Sequence, residues 1–160
     1  MGLDESGETI LNLFDKHNQD MESLIGISTT KATFQKYSVT RKHLANFIKK
    51  KYNVSDMALK SINYMFIHDF EIYMVSHAKV SHNTMSKFMG FVKKIINIAI
   101  KSDLINHNPF ANYKIQFEKV DRGYLTEQEL NLLIKKKFLI KRLEQVRDIF
   151  VFACFTGLSY

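Results

Sequence analysis

Ser81-His82-Asn83-Thr84-Met85-Ser86-Lys87-Phe88-Met89-Gly90-Phe91-Val92-Lys93-Lys94-Ile95-Ile96-Asn97-Ile98-Ala99-Ile100 is the most regular stretch of the chain and decides its fold class. Met85, Phe88, Met89, Val92, Ile95, Ile96, Ala99 and Ile100 fall in an unbroken i, i+3, i+4 series, the signature of a helix with one buried stripe. Lys87, Lys93, Lys94 and Lys101 lie off that stripe. The Ser81–Thr84 opening is an ordinary capping sequence, and a helix N-terminus with free amides also favours an anion such as phosphate. His82, Asn83 and Thr84 are therefore candidate phosphate contacts, with Lys87, Lys93 and Lys94 following them. Pro109 bars an α conformation at Asn108 and ends the element.

The stretch from about Lys31 to Tyr52 has the same period. Phe34, Tyr37, Leu44, Phe47 and Ile48 form its core stripe, and one hydroxyl of Ser28-Thr29-Thr30 is placed to cap it. Between Glu22 and Asp56 the chain has seven bases and no acid. Within this helix the usual i, i+4 ion pairing of charged faces is therefore absent. Lys31, Lys36, Thr40, Arg41 and Lys42, interleaved with Thr33, Gln35, Ser38 and Asn46, can contact phosphates and reach base edges. A solvated lysine face is the plainer alternative.

Two further helices complete this half. Residues 8–25 place Ile10, Leu13, Phe14, His17, Met21, Leu24 and Ile25 on one side and acids on the other, with His17 expected as a packed histidine. A third helix is expected from near Ala58 to about Ser76, with Ile62, Met65, Phe66, Phe70, Tyr73 and Met74 as its stripe. His77, His82 and His107 share no short ligand spacing, and with a single Cys no metal site is expected.

Residues 111–123 have little periodicity and carry Lys114, Lys119 and Arg122 ahead of Gly123, as a linker between domains would. Thr126 with Glu129 three residues later forms a capping box, so a new helix starts there and runs to about Lys136. Another, near Arg142 to Phe155, contains the apolar run Ile149-Phe150-Val151-Phe152-Ala153-Cys154-Phe155. That run is expected to be a buried helix, broken by Thr156-Gly157, where Gly accepts a positive φ. Cys154 is expected to be a small core residue in a reducing compartment.

Composition narrows the class. The chain has 160 residues, 46% of them hydrophobic, with thirteen Phe, one Pro and six Gly. Those numbers exclude disorder and favour long helices over many short strands. The net charge of +7 is unevenly spread. Residues 1–22 hold six acids and one base, whereas residues 23–118 hold fourteen Lys/Arg and five acids, a balance of +9. A basic face presented to a polyanion follows, and nucleic acid is the natural one. No apolar run approaches the roughly 18 residues of a membrane span, and no leader is evident, so a soluble intracellular protein is expected.

The order of the pieces is informative beyond each alone. Four helices, including NTMSKFMGFVKKIINIAIKSDLINHNPF, are followed by a basic linker, then YLTEQEL, then RDIFVFACFTGLSY. This resembles the tyrosine recombinase (phage integrase) family, in particular integrases of mobile elements and conjugative transposons. The resemblance implies an all-α chain: a SAM-like four-helix core-binding domain at 1–115, a linker at 116–123, and the first helices of an incomplete catalytic domain at 124–160. It implies duplex DNA as partner, clamped between the two domains, with the second and fourth helices facing major grooves. In this chain those are the acid-free helix and the one opening with Asn83-Thr84, and Lys119 and Arg122 of the linker pass alongside.

Family chemistry uses a Tyr nucleophile, with two Arg, a Lys and His-type groups around the phosphate. The first Arg normally follows Thr-Gly-Leu, and here Ser159 stands in that position. A hydroxyl cannot replace a bidentate guanidinium; Arg147 or Arg142 could compensate, and an exposed helix Arg is the more ordinary explanation of each. No His-x-x-Arg occurs in the 160 residues, and Tyr160 is adjacent to the Arg position rather than at the nucleophile's. The resemblance thus implies no cofactor, no catalytic residue and an inert chain, which is expected to be monomeric without DNA. On DNA it would join other recombinase protomers, in a bacterial cytoplasm. The chain is expected to stop inside its second domain, leaving Val151, Phe152 and Phe155 partly exposed, packed on the first domain or available for self-association. The alternative to DNA binding is a helical interaction module whose basic face meets an acidic protein, with the acidic first helix serving oligomerisation.

Overall fold

In the computed structural model, which describes residues 8–158, the stretch opening at Ser81 becomes the central helix of the first half. Four helices build this half: α1 (Ile10–Ser23), α2 (Lys31–Tyr52), α3 (Tyr64–Ser76) and α4 (His82–Lys101). α4 packs against each of the other three. Its Met85, Phe88, Met89, Val92, Ile95, Ile96 and Ala99 are buried, as the periodicity requires. Two shorter helices follow, α5 (Glu127–Lys135) and α6 (Lys141–Thr156), and no strand occurs among the described residues. The chain is all-α.

Contacts divide it into two units, Met1–Glu118 and Lys119–Tyr160. In the first, Phe47 of α2 is the aromatic hub, with Phe66, Phe70 and Tyr73 of α3 at ring-centroid distances of 5.2, 5.3 and 5.5 Å. Burying a side chain of this kind stabilises by about 1.5–3 kcal/mol, so the α2–α3 seam is held largely by these rings. α1 is secured at its start, where Ile10 N–H donates to Met57 O at 3.0 Å and Leu11 N–H to Asp56 Oδ1 at 3.1 Å. Beyond α4, Ile105 and Phe110 close the bottom of the core, and His107 Nε2 donates to Ile62 O at 2.7 Å.

The local signals account for most element ends. Thr30 caps α2 by accepting from Thr33 N–H, and Asn53 ends it in the left-handed region at φ 56°. Lys49, Lys50 and Lys51 sit in that last turn, opposite the negative end of the helix dipole. α3 starts later than the sequence suggests. Leu59–Ser61 is a 3-10 turn, Ile62 is extended, and Asn63 caps the helix by accepting from Phe66 N–H. That start fixes a phase in which Ile67 is buried and Met65 is exposed, correcting the expected stripe.

In the second unit the capping box is formed in both directions, Glu129 N–H donating to Thr126 Oγ1 and Thr126 N–H to Glu129 Oε2. Those bonds to Thr126 hold the Glu129 carboxyl below its usual range. Gly157 ends α6 at φ 68°, the backbone that glycine adopts most readily. Neither α5 nor α6 contains a buried residue. The apolar run is helical but not buried: Phe152 and Phe155 are 60% and 73% exposed, and Cys154 is exposed too. A pair of helices offers only one neighbour for each apolar face, which is too little to enclose seven consecutive apolar residues. Arg147 is tied within this unit, its Nη1 donating to Lys136 O and its guanidinium lying 5.8 Å from the Phe138 ring centroid.

Candidate nucleic-acid interface

α2 turns a continuous polar stripe outward. Lys31, Gln35, Lys42, Asn46 and Lys49 are all exposed, and their spacings of 4, 7, 4 and 3 residues hold one side of a helix with 3.6 residues per turn. The stripe extends about 27 Å at 1.5 Å per residue. Lys36 is exposed on the flank of this stripe.

Two of the expected contacts on α2 have other occupations. Thr40 is fully buried and its Oγ1 donates to Lys36 O at 2.7 Å. A threonine can satisfy its hydroxyl inside its own helix and then pack like valine, so Thr40 is a core residue and not a surface contact. Arg41 is half-buried and grips α1, Nε and Nη2 donating to the two Asp15 carboxylate oxygens at 2.9 and 2.7 Å. The sequence shows no acid near Arg41 because its partner is 26 residues away. A further lysine is paired between helices, Lys51 with Asp69 at 2.5 Å.

α4 repeats the pattern. Between Glu71 and Asp103 the sequence has no acid, and Lys87, Lys94, Asn97 and Lys101 lie exposed along the side opposite its core stripe. Gly90 occupies the same side between Lys87 and Lys94 and is half-exposed. α2 and α4 run antiparallel, with the His43 ring tilted against Phe88 at 5.5 Å and Tyr37 tilted against Phe91 at 4.3 Å. The Lys94 ammonium lies 5.4 Å from the Tyr37 ring centroid, which puts a cation at the seam between the two helices. Lys93 leans the other way, over Phe110 at 5.9 Å.

The start of α4 is differently employed from the expectation. Asn83 Nδ2 donates to Glu118 O at 2.9 Å, and Asn83 Oδ1 accepts from Glu118 N–H at 2.8 Å. Ser86 Oγ and His82 Nε2 both hydrogen-bond Gln116 O, at 2.5 and 3.1 Å. Thr84 Oγ1 shares a hydrogen bond with Ser81 Oγ at 2.9 Å. His82, Asn83 and Ser86 thus fasten the segment that leaves the domain, which runs back along α4 from Phe110 to Glu118. Tyr113 belongs to the same attachment: burial, and then the adjacent Glu71 carboxylate, push its phenol well above the usual range. Lys119 and Arg122 are exposed in the second unit. Ser159 and Tyr160 lie outside the described residues.

Four helices with acid-free outward faces on the second and fourth match the architecture that the resemblance implied. The family model of the phage integrase SAM-like domain matches residues 9–115. The chain belongs to this family. The match ends within the segment fastened to α4, and residues 116–160 lie beyond it. No curated protein and no solved structure matches the chain. No helix among the described residues is long and apolar enough to cross a membrane.

Asn97 and Lys101 share the phase of Lys87 and Lys94, and Gln35, Asn46 and Lys49 share that of Lys31 and Lys42. Their common phase is the signal, and it is readable once the core stripe of each helix is fixed.

Proposed function

We propose that this integrase-family domain binds duplex DNA through the outward faces of α2 and α4, as part of a site-specific recombinase that breaks and rejoins DNA for a mobile element. The observation that supports it most is the complete absence of acids from both helices. Six exposed lysines (Lys31, Lys42, Lys49, Lys87, Lys94 and Lys101) stand on the outward faces, with Lys94 also lying over the Tyr37 ring at the seam. Exposed cations without partners raise the free energy of the isolated protein through mutual repulsion, and a polyanion relieves that repulsion by displacing its own counterions. The interleaved Gln35, Asn46 and Asn97 offer both donors and acceptors, as reading of base edges requires.

In this reading, residues 116–123 carry the chain toward the catalytic domain, whose opening helices are α5 and α6. Charge reversal tests the assignment directly: Lys42→Glu with Lys87→Glu is expected to abolish binding to duplex DNA while leaving helical circular dichroism unchanged. Binding retained by that double variant places the DNA elsewhere.

A further inference from the structure

Gly90 has no explanation within the folded domain. It stands near the middle of a 20-residue helix, where glycine is less favourable than alanine. Its backbone does not need glycine, because its φ is not in the positive region. Its packing does not need glycine either: a Cβ built there meets nothing within 4 Å. Neither of the usual intramolecular reasons for a gap in a helix surface, a crossing helix or a strained turn, applies at this position.

Its surroundings point outward. Gly90 lies on the exposed side of α4, one turn from Lys87 and one turn from Lys94. Those two lysines are about 10.5 Å apart along the helix axis at 1.5 Å per residue, and at Gly90 between them the helix presents bare backbone. A glycine between two cations on a helix without acids fits a phosphodiester strand that must come close to the main chain. Even an alanine methyl would hold such a strand off the main chain by roughly the length of one C–C bond, about 1.5 Å, while the flexible flanking lysines would still reach it.

We propose that Gly90 is the point of closest approach between the domain and DNA, where one phosphodiester strand crosses α4 between Lys87 and Lys94. The inference rests on the DNA-binding reading above and sharpens it to a position. It requires the gap to be useful to the complex and unfavourable to the free protein, so one substitution should move the two properties in opposite directions.

Gly90→Ala and Gly90→Leu test this, with affinity for a duplex of random sequence measured by fluorescence anisotropy and thermal midpoints by circular dichroism. Gly90→Ala is expected to raise the midpoint by a few degrees and weaken duplex binding about tenfold; Gly90→Leu is expected to weaken it further while leaving the midpoint at or above that of the parent. Wild-type affinity in both variants overturns the inference while leaving the DNA-binding reading intact. A lowered midpoint in Gly90→Ala also overturns it, because the site would then be packed. If the parent protein itself shows no affinity for duplex DNA, both the reading and the inference fail.

Discussion

Asn83 and Glu118, 35 residues apart, are joined by a two-way hydrogen bond in which the side-chain amide of one imitates a strand partner for the main chain of the other. The Nδ2 and Oδ1 atoms meet the Glu118 carbonyl and amide at 2.9 and 2.8 Å. The first turn of α4 thereby fixes where the chain leaves the first unit. Removing the amide in Asn83→Ala should release Glu118, raising the hydrogen-exchange rate of its amide at least tenfold and lowering stability by about 1 kcal/mol. Asn83→Asp retains an acceptor for Glu118 N–H but loses the donor, and its exchange rate should fall between the two. Unchanged exchange at Glu118 in Asn83→Ala would show that the contact does not persist in solution.

Arg41 and Lys42 are neighbours in sequence with separate duties. Arg41 is bound in a fork to Asp15 across α1 and α2, whereas Lys42 points into solvent. Both partners of the fork are partly exposed, so its contribution is modest, about 0.5–1 kcal/mol in a double-mutant cycle with Asp15→Asn. Arg41→Gln should therefore lower the thermal midpoint more than Lys42→Gln does, while Lys42→Gln should weaken duplex binding more. Equal effects of the two on affinity would return Arg41 to the interface.

Thr40 offers a sharper contrast between sequence and structure. Because its hydroxyl bonds within the helix and its methyl is enclosed, Thr40→Val should leave both stability, within about 0.5 kcal/mol, and duplex affinity unchanged. Thr40→Ala should lower stability by about 1 kcal/mol through the space it leaves. A drop in affinity for Thr40→Val at unchanged stability would contradict its burial.

Acid should weaken the fold before any carboxylate titrates. Burial, with Lys94 adding to it at His17 and Lys42 at His43, holds both imidazoles below their ordinary value of 6.5. The folded state thus favours the neutral ring, and the unfolded chain takes up protons first. The stability that these rings supply is present above about pH 6.5 and is lost as the pH falls through their lowered values. The thermal midpoint should drop between about pH 7.5 and 5.5, and the drop should shrink in the His17→Gln, His43→Gln double variant. An equal drop in that variant would assign the effect to other groups.

What was legible in the sequence was local. The stripe of α4, the core positions of α2 and the Thr126–Glu129 box each depend on residues within a few turns, and the structure reproduces them. The acid-free faces were visible for the same reason. Contacts fixed by tertiary distance were hidden: Asp15 reaches Arg41 over 26 residues and Glu118 reaches Asn83 over 35. Thr40 was hidden by its chemistry, since a hydroxyl satisfied inside a helix looks polar in sequence and behaves as apolar in the core. The exposure of α6 was hidden because an apolar run announces what a segment needs to bury, and not whether a partner is there to bury it.

The central claim is that six outward lysines on α2 and α4 meet the phosphates of a DNA duplex. A salt titration of duplex affinity for the whole chain tests it most directly. With six phosphates neutralised, log K should fall against log salt with a slope of about −5, about three decades between 50 and 200 mM, and Lys42→Glu with Lys87→Glu should remove binding. An affinity that stays flat across that range would contradict it.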